Sequence, residues 1–237
     1  LRQPAASTAA GLGRLKTARI RSHSIVCAIS GSVYAPRENL REPSMTVLIL
    51  GLLVFLRVHL VPTSQPARES LVSKLGENQY KIAFSVASFI GFALIVWGFG
   101  LARHSPANMQ LWTPPLWTRH IAFLLMWFSF VLLVAAYVPS HIRDKTKHPM
   151  LAAVKVWALA HLIANGDLAG LLLFGSFLAW AVYDRISVKK RGAKGPLGER
   201  HAGGIANDVI VVLVGLIAYL AMFRWGHPLL LGIPLTN

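Results

Sequence analysis

The sequence predicts an all-α, polytopic membrane protein with about six transmembrane helices. Three observations lead there. Of 237 residues, 54% are hydrophobic and only 14% are charged, whereas soluble domains carry about 25% charged residues. The apolar residues gather into long runs, and a helix needs about 20 such residues to cross a bilayer core. The net charge of +15 is shared unevenly between alternate connections, as the topology of membrane proteins requires. A basic soluble chain would suggest nucleic acid. Here the charge reads as a membrane signature, so the lipid bilayer is the expected partner and no nucleic acid is expected. Cys27 is the single cysteine, which excludes a disulfide framework and a cysteine-built zinc or iron–sulfur site.

Residues 1–44 stand apart from the rest. They are polar, rich in Ser and Arg, and carry seven basic residues against two acidic ones. The chain opens on Leu1, while Met45 directly precedes an unbroken apolar run. Residues 1–44 are therefore expected to be an upstream extension or a leader without a fold of its own, and residues 45–237 the membrane domain.

Six apolar segments follow, at roughly 46–61, 82–102, 120–138, 150–164, 168–186 and 207–224. The second, third, fifth and sixth reach spanning length outright. The first and fourth are shorter, and each carries a histidine, His59 and His161. Short helices thin the bilayer or pack inside a bundle. Asn165-Gly166-Asp167 alone joins the fourth and fifth segments, which predicts a tight helical hairpin with Gly166 as the C-terminal cap. No strand-like alternation of useful length occurs, so a transmembrane barrel is excluded.

Basic residues set the orientation. The connections at 62–81, 139–150 and 185–206 hold Arg68, Lys74, Lys81, Arg143, Lys145, Lys147, Arg185, Lys189, Lys190, Arg191, Lys194 and Arg200. The other side holds Arg103, Arg119 and Arg224. The three basic connections are thus expected in the cytoplasm. Trp112, Trp117, Trp180 and Trp225 lie near segment ends, where an aromatic belt is expected. Gly91, Gly98 and Gly100 in the second segment mark close helix packing.

The histidines carry the functional signal, because an ionisable group inside a bilayer is costly and needs a partner. His59 and His161 sit within their helices. At about 1.5 Å per residue both are placed near mid-membrane, offset by several ångströms. Two neutral imidazoles facing one another can hold a haem iron between helices. The alternative is a pair of interior rings hydrogen-bonded to their neighbours. His120, at the outer mouth of the third segment, and His148, before Pro149, read as interfacial, but His59 with His148 or His120 with His161 are further ligand pairings. His104, His141, His201 and His227 lie in connections and carry little information. Arg57 either snorkels to headgroups or pairs with a carboxylate such as a haem propionate. Asp184 is expected to pair with Arg185 or Arg57, and Asp208 to oppose the dipole at the start of the last helix. No nucleotide-binding loop, H-E-x-x-H or G-x-S-x-G motif is present.

Particular stretches carry a family resemblance. They are LILGLLVFLRVHLV ending at Val61, LGENQYKIAFSVASFIGFALIVWGFGLAR at 75–103, LWTPPLWTRHIA at 111–122, LLVAAYVPSHI at 132–142, the 147–187 run containing KHPMLAAVKVWALAHLIANGDLAG, and NDVIVVLVGL at 207–216. In these the chain resembles the NnrU family of bacterial integral membrane proteins. The resemblance implies a multi-pass protein of the bacterial inner membrane that supports denitrification through nitrite and nitric oxide reductase expression or activity. Components of those reductases are the implied partners, and association with further copies of itself is left open. The family is also similar to 15-cis-zeta-carotene isomerase, a membrane enzyme using haem b, whose ligand motifs match His59 and His161. The resemblance therefore implies haem b as cofactor, held by these two histidines. That relative places a cysteine three residues before its second histidine, where this chain has Ala158. Catalysis is left open between a haem-dependent isomerase of a polyene lipid, a redox protein, and a cofactor-free assembly factor.

Overall fold

The computed structural model describes residues 43–193, 203–233 and 235. The reading of residues 1–44 falls outside these, save for Pro43 and Ser44, and so do Lys194, Arg200 and His201. Among the described residues there is no strand, and every predicted apolar segment is helical.

Helix α1 spans Pro43–Leu60 and runs on through a 3₁₀ turn, Val61–Thr63. The first segment is thus longer than its apolar run suggests, and Ser44–Thr63 is long and apolar enough to cross a membrane. The basic connection that follows is itself helical: α2 spans Gln65–Leu75. Pro66 suits its first turn, and Gly76 closes it with a φ of 81°, a backbone that a side chain would strain. Helix α3 spans Glu77–Ala102, α4 Trp117–Ala135, and the short α5 His141–Thr146. Helix α6, Pro149–Ala164, has 16 residues, about 24 Å at the usual rise, and so falls short of a bilayer core. Helix α7 spans Leu168–Arg191. Helix α8, Ile205–Ala221, does not stop where the apolar run weakens; a π-helical turn at Met222–Gly226 carries it into α9, His227–Leu231.

Five of these spans, Ser44–Thr63, Glu77–Ala102, Trp117–Ala135, Leu168–Arg191 and Ile205–Leu231, are long and apolar enough to cross a membrane. Their outward faces are apolar as well: Phe89 is 72% exposed and Ile217 66%. Large exposed apolar surface marks a lipid-facing protein, so the fold is that of a multi-pass membrane protein.

Where lipid offers no hydrophobic gain between helices, small residues let backbones approach. Helices α1 and α3 pack this way. A Cβ built on Gly91 would lie 2.8 Å from the Phe55 backbone nitrogen, and one on Gly51 2.7 Å from the Ile95 nitrogen. Gly98 similarly meets the backbone of Leu48, whereas Gly100 faces open space. Gly215 brings α8 against Val131 of α4. Ser129 of α4 donates to the Ala153 carbonyl of α6 at 2.9 Å. The main core gathers Leu48, Leu52, Ile95, Phe99, Ala158 and Phe174 from α1, α3, α6 and α7.

The hairpin between α6 and α7 forms as expected, but its glycine serves a different purpose. Asn165 is the capping residue of α6, and its Nδ2 donates to the His161 carbonyl at 2.8 Å. Gly166 is not left-handed; a side chain there would collide with the Trp112 carbonyl. The 103–116 connection uses this approach. Leu111 and Trp112 both donate to the Gly166 carbonyl, at 2.7 and 3.1 Å, and Leu168 donates to the Met109 carbonyl at 3.0 Å. Asp167 caps α7, accepting from the Gly170 amide at 3.0 Å.

Candidate functional site

The helices enclose a cavity of about 600 Å³ at the end of the bundle that carries the 103–116 connection. That is within the usual range for a small-molecule or cofactor site, roughly 300–1,000 Å³. Its walls come from α3, α4, α6, α7 and the α8–α9 unit, and are mainly aromatic and aliphatic, with Phe99, Phe123, Phe174 and Phe223 among them. A few polar groups converge on it: His161, His227, Arg103, Arg119, Asn108 and Asp167.

His161 lies in the last turn of α6. Its Nδ1 is 2.8 Å from the Trp157 carbonyl one turn back. A carbonyl only accepts, so Nδ1 carries the proton and Nε2 keeps its lone pair. The ring lies 4.3 Å from that of Phe174 with planes 21° apart, which locks its tilt. This is how a ligating histidine is held: a second partner fixes the tautomer and orientation while the free nitrogen stays available.

His59 is built by the same local rule at the other end of the bundle. It lies in the last turn of α1, with Nδ1 2.8 Å from the Phe55 carbonyl. Phe55 stacks on its ring at 4.0 Å, and Phe84 and Trp180 enclose it. It does not line the cavity. The two histidines that the sequence pairs are joined by a row of rings, with Phe55–Phe177 at 5.5 Å, Phe177–Trp157 at 5.4 Å and Trp157–His161 at 5.4 Å. A macrocycle bridging them would have to take the place of these aromatics. A cofactor ligated by His161 from within the cavity needs no such displacement.

The other sequence candidates are placed apart. Arg57 is exposed, makes no ion pair among the described residues and does not line the cavity. His120 is exposed at the start of α4, beside the cavity residue Arg119. His148 is the N-terminal capping residue of α6. Burial, then the positive charge of Arg185, holds its pKa below the ordinary histidine value, with Asp184 opposing. His148 and His59 thus both lie within electrostatic reach of Asp184. Asp184 itself pairs with Arg191 at 3.5 Å, rather than with Arg185 or Arg57, because Arg191 lies about two turns further along the same helical face. Asp208 does stand in the first turn of α8, and it also binds His141 at 2.6 Å, a link between α5 and α8 that the sequence conceals.

Among the cavity residues to which the sequence reading assigned no binding role are His227 and Arg103. His227 opens α9, directly after the π-helical turn. Arg103 follows α3 and donates to the Leu231 carbonyl at 3.0 Å. Burial lowers the pKa of its guanidinium from the ordinary arginine value, and the charge of Asp167 offsets part of this. A partly buried cation of this kind suits an anionic group in the cavity.

No curated protein and no solved structure matches the chain. The model of the NnrU family, described as NnrU protein, matches residues 47–235. That stretch takes in every helix that builds the cavity, and the chain belongs to the NnrU family.

Proposed function

We propose that this NnrU family member binds haem b in the cavity through His161 and supports nitrogen-oxide respiration in a bacterial inner membrane. The observation that carries the cofactor is His161 itself: an imidazole whose tautomer is fixed by the Trp157 carbonyl, with a free Nε2, lining an apolar cavity of about 600 Å³. The respiratory role rests on the family resemblance. Haem in such a site supplies one-electron redox chemistry and a centre for small diatomic ligands. The chain's own residues bind and orient it. His161 would offer an imidazole nitrogen to the iron, Phe174 holds that ring in place, and the remaining aromatic walls exclude water. Arg103 and Arg119, both lining the cavity, match the two carboxylates of a haem.

A haem-dependent isomerase is less well supported. Ala158, where the resemblance would have a thiol, is fully buried in the core and offers no second ligand from that position. The test is spectroscopic. The full chain, expressed with haem supplied and purified in detergent, should show a Soret band that His161→Ala loses. A wild-type protein without any Soret band overturns the cofactor and leaves the assembly-factor reading, in which replacing His161 leaves nitrite reduction by the host intact.

A further inference from the structure

We propose that His227 is the second axial ligand of a haem held by His161, an inference that rests on the haem reading above. Nothing in the family resemblance assigns His227 a role. The cavity does. His161 and His227 line the same cavity, one from α6 and the other from α9. Both are partly buried and both are tethered in the same way. The Nδ1 of His227 is 3.0 Å from the Ile233 carbonyl, as that of His161 is 2.8 Å from the Trp157 carbonyl. Each carbonyl demands a proton from Nδ1, so each ring keeps one lone pair, on Nε2. Among the described residues neither Nε2 has a partner. Two neutral imidazoles with free Nε2 atoms on one apolar cavity are the donor set of a six-coordinate haem.

The backbone around His227 is built to place it. Helix α8 would continue past Ala221 on its own register, but the π-helical turn at Met222–Gly226 interrupts it. Such turns are rare and occur frequently at functional sites. Pro228 follows at the first turn of α9, where its missing N–H costs nothing. Met222, Phe223, Leu230 and Leu231 line the cavity from either side of His227, so one face of the interrupted segment is turned toward it. His59 has the same tether but lines no part of this cavity.

The full-length protein would be expressed with haem supplied and purified as wild type, His227→Ala, His227→Met and His59→Ala. Absorption and ferric electron paramagnetic resonance spectra would be recorded. The wild type should be low-spin. His227→Ala should keep its haem in a high-spin form and return to low-spin when imidazole is added, while His59→Ala stays low-spin. Should His227→Ala not accumulate, His227→Met decides: a thioether ligand must displace the reduced α band, and an unmoved band overturns the proposal. A low-spin His227→Ala spectrum identical to wild type also overturns it, leaving His161 as a haem ligand with another partner. A wild type with no Soret band is a different failure, since it removes the haem reading itself.

Discussion

Asn108 holds the outer turn from two sides. Its Oδ1 accepts from the Ala169 amide at 2.8 Å, and its Nδ2 donates to Asp167 at 3.2 Å. Both partners belong to the first turn of α7 and its cap, just beyond the hairpin that follows His161. Asn108→Ala should lower stability by about 1–3 kcal/mol, since it leaves a helix-terminal amide without its acceptor; a thermal melt in detergent measures this. At this scale the site was half legible. His161 stands out in sequence because an imidazole inside an apolar run is anomalous. His227 does not, because Arg224, Trp225, Gly226 and Pro228 surround it and resemble the end of a helix. The signal that could have found it is the apolar run Leu229–Leu231 beyond, which shows that the segment has not yet left the bundle.

Helices α1 and α3 illustrate what a pattern of apolar runs can and cannot reveal. The runs locate both helices, and Gly91 and Gly98, seven residues apart, predict a close contact face. They do not reveal the partner, which depends on three-dimensional packing: Phe55 and Leu48 of α1 supply it. Gly91→Val should force the two backbones apart and destabilise the protein by about 1–3 kcal/mol or more. Gly100→Ala, where nothing lies within 4 Å, should leave the melting midpoint almost unchanged. If the two substitutions behave alike in a thermal melt, the contact is not what holds α1 to α3. The helices α2 and α5 were hidden for a different reason. They are polar and lie in the basic connections, so no apolar periodicity announces them, and only Pro66, Gly76 and the Ser140 cap mark their ends.

For the molecule as a whole, the distribution of charge predicts one orientation. The basic connections around α2, α5 and Gly192 should be cytoplasmic, and the end that carries the cavity should face outward. Alkaline phosphatase fused after Gly192 should be inactive and the same enzyme fused after Leu231 active; the reverse pattern would invert the topology. Arg103 and Arg119 are two of the three basic residues on the charge-poor side, and both line the cavity. Positive charge is therefore retained against the prevailing bias at the place where an anionic group would be received. The three-residue turn between α6 and α7 bears on how such a molecule is assembled. Helix α6 is too short to be stable in a bilayer alone, and a connection of Asn165, Gly166 and Asp167 allows no pause between it and α7. The two are expected to insert as a single hairpin, so the His161 segment enters the membrane paired with α7 and the far wall is closed afterwards by α8 and α9.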